Sequence, residues 1–225
     1  MHRVIAIVGN GTHGRMLGLF ITEGGRKVQY FQPIWEVEAD MDVCIGVGNK
    51  AVVGDSGLAQ RRELYEKYDG RIVGLHHATS FTYASTIDST AQILPFAIIN
   101  PRVVIKENVI LNTGCVVEHD CFVGAHSHIA PRAVLCGAVR VGEETHIGAG
   151  AVVLQGIKIG SRCVIGAGAV VTKNVDDGNT VFGNPASERR PVLARMRGTD
   201  FANALEEAAR ISGVRIPGLG RAASE

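Results

Sequence analysis

An aliphatic residue stands at every sixth position from Ile87 to Val171, through Ile93, Ile99, Ile105, Leu111, Val117 and onward, in fifteen hexads without an insertion or a miss. Four positions after each comes a second series of mostly small residues, among them Ala91, Ala97, Cys115, Cys121, Ser127, Ala133, Ala151, Cys163 and Ala169. Each hexad reads as a short strand and a corner. The aliphatic side chain points inward, and so does the small one, where the bend leaves little room. A single coil cannot bury its own core, but coils stacked at about 4.8 Å share a continuous one. Phe81 and Ser85 are expected to add one earlier hexad. Aromatics make up only 5% of the chain, so Val, Ile, Ala and Leu must build that core. The 28 glycines suit tight corners, and several follow the inward aliphatic residue, as in Val123-Gly124, Val141-Gly142 and Ile147-Gly148.

This hexad pattern resembles that of the hexapeptide-repeat transferases. The resemblance implies a left-handed parallel β-helix of triangular section, with three hexads to a coil and residues eighteen apart stacked. Ile87 to Asp176 is then about five coils.

Ahead of the repeat, residues 4–8 read as a buried strand and Gly9-Asn10-Gly11-Thr12-His13-Gly14 as the turn into a helix over 15–23. Further strands are expected at 27–31, 42–47 and 71–75, with a helix over 56–68. Alternating β and α predicts a small Rossmann-like parallel sheet, and the helix N-terminus favours a phosphate. A dinucleotide fold would place a carboxylate after the second strand, where Phe31-Gln32-Pro33 stands, so NAD is not expected. The glycines could also simply shape a turn. The whole division is 1–80 for a nucleotide-sugar-binding domain, 81–184 for the β-helix, and 185–225 for a tail with a short helix over 199–211.

A small βαβ domain with a Gly-x-Gly-x-His-Gly turn ahead of a hexapeptide β-helix resembles the bacterial sugar acetyltransferases of bacillosamine, perosamine and sialic acid pathways. Those N-acetylate an amino group on a nucleotide-linked sugar, or O-acetylate sialic acid. The resemblance implies acetyl-CoA as co-substrate and a homotrimer whose sites are shared between subunits. Gly9, Gly11, His13, Gly14 and Gln32 would face the nucleotide sugar, Gln32 standing where many members carry an acid.

The densest polar stretch of the repeat is Asn112-Thr113-Gly114-Cys115-Val116-Val117-Glu118-His119-Asp120. Val117 and Cys121 point inward, so Glu118, His119 and Asp120 should project from a corner. A carboxylate on one imidazole nitrogen fixes the tautomer and raises the basicity of the other. The stretch resembles the family's segment in which the His is the general base. Carried over, His119 takes the proton of the attacking amine or hydroxyl, Asp120 orients it, and Asn112 and Glu118 contact the substrate. A backbone N–H near Gly137 would stabilise the oxyanion. His128 would lie near the thioester, with Gly148 and Gly166 under the pantetheine arm. His146 should stack on His128 in a structural or entrance role. His126 reads as a solvated histidine, and His13 as either facing the sugar or capping the helix.

A β-helical carbonic anhydrase would need a histidine spacing on zinc that His119, His126, His128 and His146 do not give, so no metal is expected. The five cysteines lack CxxC spacing and read as reduced, packed thiols. A formal charge of +1 gives no reason to expect nucleic acid or a membrane surface as partner, and no apolar run reaches the roughly 18 residues of a membrane span. A cytoplasmic location follows. Phe182-Gly183-Asn184-Pro185-Ala186 resembles the family's closing Gly-x-Pro-Ala. Arg189 and Arg190 could meet CoA phosphates or remain solvated. The non-enzymatic alternative is a β-helical scaffold or a sugar-nucleotide-binding module.

Overall fold

A computed structural model describes residues 4–9, 11–31, 37–38, 41–48 and 57–188. Gln32, Arg189, Arg190 and the helix expected over 199–211 lie outside the described residues.

The chain begins with three parallel strands, β1 (Ile5–Val8), β2 (Val28–Phe31) and β3 (Asp42–Ile45), in the order β2-β1-β3. Buried on both faces, β1 is a run of four apolar residues with no polar alternation. Helix α1 (Thr12–Glu23) returns the chain from β1 to β2 and buries Gly14, Leu17, Gly18 and Ile21. It starts three residues earlier than the glycine pattern predicts. Gly9 takes a positive φ of +112°, Gly11 is the N-cap, and Gly14 already lies in the first helical turn. There a Cβ would run into the Gly9 carbonyl, so this third glycine permits close packing of helix on strand. Helix α2 (Ala59–Lys67) follows, and Ile72 then bridges Val43 of β3 before the chain enters the repeat.

From Leu75–His76 onward two-residue strands stack into a three-sided prism, the left-handed parallel β-helix. Its faces hold eight, six and five strands. Through the middle coils partners lie eighteen residues apart, as in Val117↔Leu135, Val123↔Val141 and Ile129↔Ile147, and the spacing is seventeen in the first coil and sixteen in the last. The inward aliphatic and small series together form one buried cluster from Ala91 to Val181. Each fully buried aliphatic side chain contributes about 1.5–3 kcal/mol. Where the small position is Ser127 or Thr145, its hydroxyl donates to the carbonyl of Gly142 (2.8 Å) or Gly160 (2.7 Å), so neither buried hydroxyl lacks a partner.

Two expectations about the repeat change. Phe81 does not point inward. It pairs with Ile98 while Thr82 pairs with Ile99, and the Phe81 ring is 57% exposed. Only four residues lie between Thr82 and Ile87 where the repeat elsewhere has five, so the first coil is one residue short and its side chains shift to the opposite face. The glycines after the aliphatic residue do not supply the corners' positive φ either. That falls three residues after the aliphatic one, largely on other residues: Arg102 (60°), Asp120 (63°) and Ala138 (59°) on one corner, Asn108, His126, Glu144 and Arg162 on the next. Gly142 and Gly148 are glycine because a Cβ would come within 2.5 Å of the neighbouring coil's backbone.

The α1 side of the sheet packs on the prism's eight-stranded face. Ile5, Ile7, Leu17, Ile21 and Cys44 cluster with the outward-facing Ile110 and with Leu94. Arg61 of α2 is fully buried at this junction. Its guanidinium donates to the carbonyls of Ile45 and Val47 (3.0 Å each) and of Asn108 (3.3 Å). Among the described residues no helix is long and apolar enough to cross a membrane, and no group of three or more His, Cys, Asp or Glu side chains could hold a metal ion. The five cysteines form no disulfide.

Candidate active site

Val116–Val117 belongs to the six-stranded face and Phe122–Val123 to the five-stranded one. Glu118, His119 and Asp120 turn the corner between them. Alternation about the strand sends Val117 inward, so His119 emerges, with 56% of its side chain exposed. Its Nδ1 lies 2.7 Å from Asp120 Oδ2, which assigns the ring proton to Nδ1 and leaves Nε2 as the acceptor. The ring lies over the next coil: a Cβ on Gly137 would come within 2.8 Å of both Cε1 and Nε2. Gly137 is thus the floor on which the imidazole rests, and its own carbonyl accepts from Gly156 N.

Asp120 has a second partner that sequence reasoning missed. Arg102 donates from Nε to Oδ1 (2.6 Å) and from Nη2 to Oδ2 (2.9 Å). Arg102 first, and His119 after it, hold the Asp120 carboxyl well below the usual carboxylate range. The signal was present in the spacing, because Arg102 stands eighteen residues before Asp120 and therefore directly beneath it.

His128 lies elsewhere. It sits on the eight-stranded face, across the prism from the His119 corner, and is 7% exposed. Thr113 N donates to Asn112 Oδ1 (2.7 Å), which turns Asn112 Nδ2 toward His128 Nε2 at 3.0 Å. His128 therefore carries its proton on Nδ1. Burial pushes its pKa well below the ordinary value, and the neighbouring His146 and His13 add to this. His146 stacks one coil above, edge to face at 5.1 Å, and burial lowers its pKa to about 4. His128, His146, Gly148, Gly166 and Phe182 line one cleft of about 530 Å³, floored by glycine and alanine. Four of the candidate residues are thus brought together here, and His119 and Gly137 at the separate corner.

His13 caps nothing. Its Nε2 meets Gln92 Oε1 at 3.0 Å, while Gln92 Nε2 donates to the Ile45 carbonyl (2.8 Å). Burial, and next to it Arg61, lowers its pKa to about 4, so it stands neutral beside the Gly9–Gly14 turn. His126 is likewise not solvated. It is 9% exposed, lies edge-on to Tyr65 of α2, and accepts from Asn108 Nδ2 at 2.9 Å. Helix α2 covers a surface that the repeat alone would leave open, which is why the corner reads as solvated in sequence.

A triangular coil of hexads carrying a carboxylate-oriented histidine on one corner, and a glycine-floored cleft on another side, is similar to the architecture of the hexapeptide-repeat acyltransferases. The family described as bacterial transferase hexapeptide (six repeats) matches residues 120–155 and 138–173. Among solved structures, the chain is similar to the acetyltransferase domain of PglB from Neisseria gonorrhoeae FA1090 in complex with acetyl coenzyme A. The two share 28% identity over 84% of this chain and 100% of that one, with a TM-score of 0.74. It is also similar to PerB from Caulobacter crescentus in complex with CoA and GDP-perosamine, at 25% identity over 84% and 98% of the two chains and a TM-score of 0.73. WeeI from Acinetobacter baumannii AYE, 17% identical over 84% and 100% with a TM-score of 0.56, shares the fold.

Proposed function

We propose that the protein transfers the acetyl group of acetyl-CoA to the amino group of a nucleotide-linked amino sugar in the cytoplasm. The observation that carries this reading is the outward His119 with Nδ1 held by Asp120 and Nε2 turned to solvent. Nε2 takes a proton from the sugar amine as its nitrogen attacks the thioester carbonyl. The C–N bond forms, the C–S bond breaks, and the CoA sulfur leaves as the thiol once it is protonated. The Gly137 amide is the proposed donor to the oxyanion. Base help of this kind is worth roughly 10²–10⁴ in rate, and alignment of the two substrates supplies the remainder.

The acetyl-CoA arm fits the glycine-floored cleft, where Gly148 and Gly166 leave the surface low and His128 offers a neutral ring near the thioester. The sugar nucleotide fits the turn at Gly9, Gly11, His13 and Gly14, with Gln32 after β2 and with Asn112 and Glu118 toward the sugar. We divide the chain accordingly into 1–80, 81–184 and 185–225.

Within one copy the His119 corner and the cleft lie on different sides of the prism. The six-stranded face runs between them, and its outward residues are Phe81, Ile98, Val116, Val134, Val152 and Val170. An apolar face of this extent calls for a partner. The face is bounded on one edge by the corner of His119 and on the other by the corner of Pro131, Ala149 and Ala167, which rims the cleft. Three copies turned with this face toward a threefold axis bring the first edge of one onto the second edge of the next, completing the site between subunits.

The test is thiol release from acetyl-CoA against a panel of UDP-, GDP- and dTDP-linked amino sugars, with free sialic acid alongside. Release with at least one amino sugar, abolished by His119→Asn with folding intact, is the expected result. A protein indifferent to every sugar, with His119→Asn equal to the parent, would be a scaffold.

A further inference from the structure

The base-orienting carboxylate is itself held in an unusual way. In an enclosed site the surrounding protein would fix an aspartate's rotamer, but here Asp120 is 39% exposed on a corner. Besides His119, its carboxylate is held by Arg102. Arg102 arrives from the coil beneath as a two-pronged donor, the geometry in which planar guanidinium and planar carboxylate fix each other's orientation. It is 68% exposed, so as an ion pair it adds little to the stability of the fold. What it determines is direction. With Oδ1 taken by Nε and Oδ2 shared with Nη2, the carboxylate plane is set, and the remaining lone pair of Oδ2 points at His119 Nδ1.

We propose that Arg102 is a positioning residue that locks Asp120, and through it the ring orientation and tautomer of His119, for the acetyl transfer argued above. The proposal rests on that reading of the site. Arg102 itself touches no reacting atom. Removing it frees the carboxylate to rotate, and the imidazole then samples the Nε2–H tautomer, which cannot accept a proton from the sugar.

Arg102→Ala, Arg102→Gln and Arg102→Lys are compared with the parent and with His119→Asn in the full chain. In steady-state thiol release, Arg102→Ala and Arg102→Gln are expected to lower kcat by about 10- to 100-fold with KM for both substrates unchanged. Lysine, a point charge without the fork, restores part of the loss. Added guanidinium ion restores part of Arg102→Ala activity and none of His119→Asn. A rise in KM with kcat intact would make Arg102 a contact to an anionic substrate and overturn the proposal. So would an unchanged kcat. Independently of activity, 15N NMR of histidine-labelled protein reads the His119 tautomer. The Nδ1–H form is expected to dominate in the parent and to give way to Nε2–H in Arg102→Ala. Identical tautomer populations would refute the locking role. If no sugar supports thiol release, the functional reading falls while the NMR comparison still decides the role of Arg102.

Discussion

Replacing Gly137 by alanine separates catalysis from folding. Gly137 lies outside the left-handed region, so alanine meets no backbone strain there. The three atoms nearest the added methyl all belong to the His119 ring, with Cε1 and Nε2 each at 2.8 Å. Comfortable carbon contacts lie at about 3.5–4.0 Å, so the ring must retreat by roughly 0.7–1.2 Å. It can do so cheaply, since it is the far end of an exposed side chain. The stability change should stay within about 0.5 kcal/mol, as for ordinary surface substitutions. The retreat, however, carries Nε2 away from the attacking amine, and a displacement near 1 Å can cost about 10²-fold. Gly142→Ala is the control. Its methyl would press on the backbone of the next coil, with Ser161 N at 2.5 Å, which cannot move aside. Thiol release and thermal melting of both variants decide the matter. Gly137→Ala should melt with the parent and turn over about a hundredfold more slowly, and Gly142→Ala should lose stability. Full activity in Gly137→Ala would refute the placement of the working imidazole over this glycine.

Two half-buried histidines contribute a pH dependence to stability. His13 and His146, each at about 4 in the fold against the ordinary 6.5, stay neutral while the unfolded chain takes up protons. Stability is therefore full above about pH 6.5 and falls as the pH drops toward 4, by on the order of 3 kcal/mol for each group. Urea titrations between pH 7 and 4 check this, and a flat profile would contradict it. Arg61→Met strips the carbonyls of Ile45, Val47 and Asn108 of a buried donor. It should cost about 2–3 kcal/mol in urea unfolding. Val134→Glu places a charge on the apolar six-stranded face. If the proposed trimer forms through this face, light scattering should report monomers for this variant, with far-UV circular dichroism preserved and thiol release lost.

Much of this architecture could be read from one period. The six-residue period showed which side chains turn in together, among them Ile93, Ile99 and Ile105, and the resemblance to the hexapeptide-repeat transferases implied the eighteen-residue stacking that sets His128 under His146. The exposure of His119 was legible for the same reason: Val117 and Cys121 fix which side chains turn in. What stayed hidden depended on contacts between distant stretches. The first coil loses its register because one residue is missing between Thr82 and Ile87, too small a change to break the pattern of apolar residues that marks the repeat. His126 reads as solvated until Tyr65 of α2 covers it. Gln92, an outward residue with no motif around it, turns out to join His13 to β3. Arg102 could have been found by reading the corner positions as columns eighteen apart as well as along the chain.

The central claim is that the base of one copy serves the thioester held by its neighbour. Its most direct test is complementation between two inactive variants, His119→Asn and the cleft-blocked Ala149→Trp, co-expressed so that mixed trimers form. If the two halves of each site come from different subunits, about one quarter of the sites in a random mixture regain both intact halves, and thiol release returns to about that fraction of the parent rate. If the co-expressed trimers stay as inactive as either variant alone, the site lies within a single chain and the account is wrong.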